Sequence, residues 1–302
     1  MIQVGDVDTR RERTGAVFTF LSTISPAISD VETKDFYTKA DDGHEILLRW
    51  YTKTGVQPSG PTSAVVYAHG GGMISCEISH YDFIAKRYVS RTGVPFLLPE
   101  YRRAPDVKAP VPVTDTYAGL QYLHSHAKEF NVDTRRIGIM GDSAGGGIAA
   151  SLALYVKLKG GPAVKKQILI YPMLDDRSLS ADSNLAPHLV WSVDDNKTGW
   201  SALLSSPGDS SHAQDEDLPP THAAARMSVQ DARGLPPAYI DTGELDLFRD
   251  EDIEYARKLG EAGISCELHV LPGVPHAFEL FAPEAEVTRL TMEGRYRAIR
   301  SI

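Results

Sequence analysis

The chain has 302 residues, of which 42% are hydrophobic and 24% are charged, a composition that is typical of globular proteins and excludes extensive disorder. The formal net charge of -9, without a clustered basic face, predicts no nucleic-acid partner. No stretch reaches the roughly 18 apolar residues of a membrane span and no secretory leader is recognisable, so we expect a cytoplasmic protein without a membrane span.

The first predicted elements form a hairpin. Residues 35–39 and 44–51 are strand-like runs, and the Asp-Gly step between them favours a tight turn. Six short, mostly apolar runs then predict strands, and they cover residues 64–68, 95–100, 136–141, 167–172, 238–242 and 266–272. Segments with helical periodicity lie between most of them, at residues 80–92, 112–130, 144–159 and 249–262. This alternation predicts an α/β fold with a mostly parallel central sheet and helices on both faces.

One connection is too long for this alternation, since about 60 residues separate the fourth apolar run from the fifth, and loops of such length are unusual inside a compact domain. We therefore predict an inserted cap. The expected division is residues 1–33 as the N-terminal part of the cap, 34–173 as the first part of the core, 174–235 as the cap insertion and 236–302 as the second part of the core. Within the insertion, the polar residues 207–220 predict a mobile loop.

The two cysteines, Cys76 and Cys266, lie far apart in the sequence. This usage fits a reducing compartment better than a disulfide framework. We expect two small, buried side chains, with a disulfide pair as the weaker alternative.

A glycine-rich segment, "GDSAGGG", begins at Gly141 and follows a predicted strand directly. Gly141, Ser143 and Gly145 form a G-x-S-x-G pattern, and a helix is predicted after them. A nucleophile elbow requires this order of strand, sharp turn and helix, with small residues beside the serine. Ser143 is therefore the candidate nucleophile, and the alternative is a glycine-rich or anion-binding turn with an incidental serine.

A serine nucleophile needs a histidine base and an acid that orients it, and in this type of fold they follow later strands in the order acid, then histidine. His276 lies on the loop before the final predicted helix. Five acids follow or end the fifth apolar run, but one lies in the strand and two begin the next helix. Glu244 and Asp246 remain, and we prefer Asp246.

A second glycine cluster, "HGGG" at His69 to Gly72, follows the first apolar run. Three consecutive glycines suggest that another group approaches the backbone itself. The alternatives are a flexible turn and a metal site. We expect no metal, because further ligands at short fixed spacing are missing.

Together these segments resemble the α/β-hydrolase superfamily, and within it the carboxylesterases similar to hormone-sensitive lipase. The resemblance extends from about residue 35 onward and rests on "HGGG", "YRRAP", "GDSAGG", "YPMLDDR", "DLFRDE" and "HAF". It implies an α/β-hydrolase fold in which Ser143 is the nucleophile, His276 the base and Asp246 the acid.

The resemblance also implies an oxyanion hole formed by the backbone N–H groups of Gly71, Gly72 and Ala144. The motif residues expected to support the site are His69, Gly70, Gly141, Asp142 and Gly145. The chain departs from the family pattern at Leu247 and Phe248, and at Arg103, which stands where an apolar residue is usual.

We therefore expect a cofactor-free serine carboxylesterase that hydrolyses short to medium acyl esters, with a small-molecule ester as its partner and a homodimer as a possible assembly. The same triad could instead act on a lactone, amide or formamide. A non-catalytic receptor on this scaffold is a further alternative, but such receptors typically lack the histidine. Four aromatic residues are candidates for the cap and the pocket wall: Phe18, Phe20, Trp191 and Trp200.

Overall fold

Eight strands form one sheet in the order β1-β2-β4-β3-β5-β6-β7-β8, in a computed structural model that describes residues 2–302. The strands are β1 Val31–Lys39, β2 Glu45–Lys53, β3 Thr62–Ala68, β4 Phe96–Pro99, β5 Val132–Asp142, β6 Lys166–Ile170, β7 Ala238–Leu245 and β8 Cys266–Pro275. The predicted hairpin is β1 and β2, although β1 begins earlier, at Val31.

Along the sheet, each strand from β4 through β3 to β8 is parallel to its neighbour. β2 pairs with β4 in the antiparallel direction. The central strands β3, β4 and β6 are almost entirely buried, as expected for strands covered on both faces. β1 lies at the edge and exposes most of its residues. The predicted fold class is thus confirmed.

The α-helices are α1 Val7–Ile24, α2 Ile78–Thr92, α3 Val111–Ser125, α4 Ala144–Lys159, α5 Val193–Leu204, α6 Val229–Ala232, α7 Arg249–Glu261, α8 Phe278–Phe281 and α9 Glu286–Arg300. Two apolar clusters form the core. One contains side chains of α3, α4 and α7, and the other contains side chains of α2 and α9. The helices therefore cover the sheet in two layers.

The N-terminal helix α1 contacts α5, which lies in the predicted cap insertion. Nε of Arg10 donates to Oδ1 of Asp195 at 2.7 Å, and the backbone N–H of Gly5 donates to Oγ1 of Thr198 at 3.0 Å. We propose on this basis that α1 and α5 belong to one cap, although β1 already begins inside the range predicted for the cap.

Both cysteines are free thiols, and Cys76 is buried while Cys266 is partly buried. Within residues 2–302, no helix has both the length and the apolar character needed to cross a bilayer.

Candidate active site

Ser143 lies in the sharp turn between β5 and α4. Its backbone has φ 55° and ψ -124°, a combination that costs a non-glycine residue free energy and that surrounding contacts must maintain. Its N–H donates to the carbonyl oxygen of Ile170 on the neighbouring strand at 2.8 Å. The turn thus aims the serine side chain beyond the end of the sheet.

The two glycines of the G-x-S-x-G pattern are required by space. A Cβ added to Gly141 would lie 2.1 Å from the carbonyl oxygen of Gly145, and one added to Gly145 would lie 2.0 Å from that of Ala68. The start of α4 therefore packs directly against the turn and against the end of β3.

The structure brings Ser143, His276 and Asp246 together, although they lie far apart in the sequence. Nε2 of His276 is 3.0 Å from Oγ of Ser143, and Nδ1 of His276 is 2.7 Å from Oδ2 of Asp246. The other carboxylate oxygen of Asp246 accepts the backbone N–H of Phe248 at 3.0 Å. The serine and histidine side chains follow β5 and β8, and Asp246 follows β7, so the ends of parallel strands position all three.

The surroundings of His276 favour its charged form. Burial alone would lower its pKa, but the Asp246 carboxylate opposes burial by its charge and its hydrogen bond, with Glu279 and Asp142 adding to it, and the pKa is raised. The rings of Tyr171 and Phe248 meet the imidazole edge-on, with centroids 4.6 and 5.2 Å away. These contacts hold the ring in its plane.

The other acids considered from the sequence lie elsewhere. Glu244 is exposed and accepts the N–H of Gly273 at 2.8 Å. Asp250 is exposed and pairs with Arg249. Glu251 is buried and not a simple helix-terminal acid, since it accepts the backbone N–H of Leu174 at 2.6 Å. Among these acids, Asp246 is the one hydrogen-bonded to His276.

The glycine loop lies beside Ser143, and its backbone adopts positive φ angles of 119° at Gly71 and 62° at Gly72. A Cβ on Gly72 would lie 2.2 Å from the Trp191 ring, and one on Gly71 would lie 2.3 Å from the carbonyl oxygen of Ser75. Within residues 2–302, the N–H groups of Gly71, Gly72 and Ala144 donate to no protein acceptor. They remain available to an oxygen of a bound molecule.

His69 contacts the same loop. Its Nδ1 is 2.7 Å from the carbonyl oxygen of Gly70, and its own carbonyl oxygen accepts the Tyr101 hydroxyl at 2.7 Å. Burial lowers the pKa of His69 to about 3, so the ring is neutral. A side chain would not fit at Gly70, where a Cβ would lie 2.5 Å from the Tyr81 hydroxyl. We retain the prediction that His69 and Gly70 support the loop.

Asp142, directly before Ser143, is buried and accepts the hydroxyl groups of Tyr67 at 2.6 Å and Tyr81 at 2.8 Å. Burial raises its pKa to about 6, although both hydrogen bonds oppose the rise.

The sequence did not indicate a role for Arg103. Its guanidinium donates to the carbonyl oxygen of Cys76 and so stabilises the segment after the glycine loop.

A buried polar network next to the site escaped the sequence analysis. Arg295 is fully buried and forms two 2.8 Å hydrogen bonds with Asp241 and one of 2.6 Å with Glu279, which also accepts the Tyr171 hydroxyl at 2.5 Å. One signal was present: an acid such as Asp241 inside an apolar strand requires a buried partner. The network connects α9 and α8 to Tyr171, whose ring contacts His276.

A cavity of about 250 Å³ opens above Ser143. Its walls come from α1, the glycine loop, the segment before α5 and the residues after His276, and they are mainly apolar. Of the four aromatic candidates, Phe18 and Trp191 line the cavity, whereas Trp200 is buried in the core and Phe20 is exposed outside it.

Comparisons with known proteins identify similar chains. The profile of a family described as having an alpha/beta hydrolase fold matches residues 65–280. Carboxylesterase NlhH of Mycobacterium tuberculosis is 34% identical over 264 residues, which cover 85% of this chain and 80% of that protein. Ethyl acetate hydrolase of Pseudomonas putida is 28% identical over 240 residues, 78% of this chain and 72% of its own. The solved structure of a bacterial heroin esterase superposes with a TM-score of 0.88 at 32% identity, covering 100% of this chain and 94% of that one.

Proposed function

Since this chain belongs to the alpha/beta hydrolase fold family, we propose that it is a serine carboxylesterase that hydrolyses short to medium acyl esters. The observation that carries the proposal is the hydrogen-bonded series Ser143, His276 and Asp246 at the base of an apolar cavity. Relatives named as esterases support the reaction class.

In the first step, Oγ of Ser143 attacks the ester carbonyl carbon while Nε2 of His276 takes its proton. The carbonyl oxygen becomes negative in the tetrahedral intermediate, and the N–H groups of Gly71, Gly72 and Ala144 donate to it. Donors fixed in the backbone stabilise this charge without reorganising. The intermediate then collapses, the alcohol leaves with the proton from His276, and the acyl group remains on the serine.

In the second step, a water molecule loses a proton to His276 and attacks the acyl carbon, which releases the carboxylic acid and restores Ser143. Asp246 accepts the hydrogen bond from the Nδ1–H group of His276 throughout, without taking the proton. It thereby fixes the tautomer that leaves Nε2 free to accept, and it stabilises the imidazolium that forms in each step. The raised pKa of His276 is consistent with this role.

The cavity favours acyl chains of limited length. Its mainly apolar walls bury alkyl groups, and its volume of about 250 Å³ limits how much of a substrate they enclose. Trp191 lies directly over Gly72 and closes one side of the space beside the glycine loop. Longer acyl chains would have to extend into solvent.

The test is a substrate panel of p-nitrophenyl esters of increasing acyl length, p-nitroanilides of the same acids and simple lactones, each assayed with and without EDTA. We expect ester hydrolysis that is unaffected by EDTA and that declines for long acyl chains, with the Ser143→Ala variant as the inactive control. Turnover of anilides or lactones above that of every ester would favour the alternative carbonyl substrates. Loss of activity in EDTA, or ester hydrolysis that persists in Ser143→Ala, would contradict the proposal.

A further inference from the structure

One face of α1 forms a wall of the cavity. The residues on this face follow helical spacing and are Arg10, Arg13, Thr14, Val17, Phe18 and Leu21. The wall therefore has two ends of different character. Its later part is apolar, and its first part carries two arginines one helical turn apart.

Arg10 is buried and paired within the protein. It is 3% exposed, and its Nε donates to Asp195 at 2.7 Å. Another guanidinium nitrogen donates to the carbonyl oxygens of Gln3 at 2.7 Å and Asp6 at 3.0 Å. The Asp195 carboxylate neutralises its charge, and this ion pair joins α1 to α5.

Arg13 differs from Arg10 in its exposure and in its pairing. It is exposed, and among residues 2–302 its guanidinium forms neither an ion pair nor a hydrogen bond. The other charged groups of the cavity wall all have partners: Asp195 pairs with Arg10, Asp142 accepts two tyrosine hydroxyls, and His276 contacts Asp246. In a chain with a formal net charge of -9, this leaves one uncompensated cation at the cavity.

We propose that Arg13 binds a negatively charged group of the substrate, so that this enzyme prefers esters with an apolar body and a carboxylate remote from the reacting carbonyl. A guanidinium presents paired donors that match both oxygens of a carboxylate, and the pair needs no further protein group. Val17 and Phe18 on the same helix face contact the apolar body. This inference rests on the proposed esterase function and adds the substrate class.

The kinetic test compares esters that differ in charge. On the acyl side, the mono-p-nitrophenyl esters of adipic and suberic acid are paired with p-nitrophenyl hexanoate and octanoate. On the alcohol side, 4-(butyryloxy)benzoate is paired with phenyl butyrate. Arg13→Gln should lower kcat/KM for an anionic ester of at least one pair by about three- to tenfold relative to its neutral partner, because solvent weakens an exposed pair. Added salt should reduce this difference in the unmodified enzyme.

The matched control is Arg289→Gln, which removes an exposed helical arginine that does not line the cavity. It should leave the ratio of anionic to neutral turnover unchanged. If Arg13→Gln leaves the ratio unchanged for every pair while neutral esters are still hydrolysed, the inference is wrong and the esterase proposal stands.

A binding measurement separates the two proposals further. In the Ser143→Ala background, calorimetry compares adipic acid monoanilide with hexananilide, with and without Arg13→Gln. Tighter binding of the anionic anilide that depends on Arg13 supports the anion site even if no ester is hydrolysed by the unmodified enzyme. Equal affinities for the two anilides, or a preference that survives Arg13→Gln, would overturn it.

Discussion

The two sides of the cavity are built differently. On the sheet side, Ser143, Asp246 and His276 are 7%, 0% and 7% exposed, and each directly follows the end of a strand. On the α1 side, Val17 is 36% exposed, and Arg13 is exposed as well. Strand ends thus hold the proposed nucleophile, base and acid, whereas a surface helix supplies much of the wall of the proposed substrate cavity. We therefore expect substitutions on the sheet side to change the rate of the reaction, and substitutions on the helix side to change which substrates are preferred.

The largest expected effect tests the sheet side. Ser143→Ala and His276→Ala should each lower kcat by about 10⁶, because nucleophile and base act as one unit whose losses do not add. Val17→Ala on the helix side should change mainly KM, since it removes apolar contact without touching the reacting groups. Steady-state kinetics of the folded variants on one short ester measures both. If Val17→Ala were as inactive as Ser143→Ala, the proposed division of roles between the sheet side and the helix side would be wrong.

The next effect concerns the acid. Asp246→Asn should lower kcat by about 10⁴, because an amide can hold the imidazole in the wrong tautomer and cannot stabilise the imidazolium. Glu244→Gln is the matched control: Glu244 is exposed, lies two residues away and keeps an oxygen that can accept the N–H of Gly273. It should retain most activity. If the two variants exchange these outcomes, the acid is Glu244 and the rest of the mechanism is unaffected.

An intermediate effect is expected where the two sides meet. Gly72→Ala would need φ near 62° and would place Cβ 2.2 Å from the Trp191 ring, so it should displace the N–H donor and lower kcat by about 10²–10³. Gly43→Ala is the control for backbone strain, since φ there is 84° and no atom lies within 4 Å of the added Cβ. It should lower the free energy of unfolding by about 1 kcal/mol and leave kcat unchanged. Equal kcat for both variants would argue against Gly72 as a donor.

The smallest expected effect concerns the mobility of residues 207–220. The segment 207–220 should exchange its amide hydrogens quickly, because most of its side chains are exposed, whereas the buried strand β5 should be protected. Hydrogen exchange followed by mass spectrometry compares the two segments in the free protein. Protection of residues 207–220 equal to that of β5 would refute a mobile cap loop.

The sequence signals for the sheet side are local. A strand, a glycine turn and a helix around Ser143 follow one another within a few residues, and His276 could be found from the loop before the last helix. The mostly parallel sheet and the α/β fold class followed from the same alternation, whereas the order of the strands did not. The acid required a choice between two neighbours, because spacing alone does not show which side chain faces the imidazole.

The sequence could not reveal contacts between distant segments. Trp191 lies over Gly72 although about 120 positions separate them, and nothing near either residue signals the contact. Gly72 therefore makes room for a residue of the predicted cap insertion, whereas the sequence suggested only that some group approaches the backbone of these glycines. Two buried ionisable side chains show the same limit. Arg295 pairs with Asp241, and Glu251 accepts the N–H of Leu174, and in both cases tertiary packing brings distant segments together.

The joint between Arg10 and Asp195 also has a consequence for engineering. Six cavity-lining side chains come from one 18-residue helix, and two neighbouring arginines anchor this helix. Arg10 pairs with Asp195 on α5, and Arg11 donates to the carbonyl oxygens of Ile74 and Ala104. A chimaera that exchanges the helix but keeps both arginines would replace one cavity wall without altering a residue of the sheet. Libraries for new substrate ranges can therefore be confined to a short cassette that leaves these two positions unchanged.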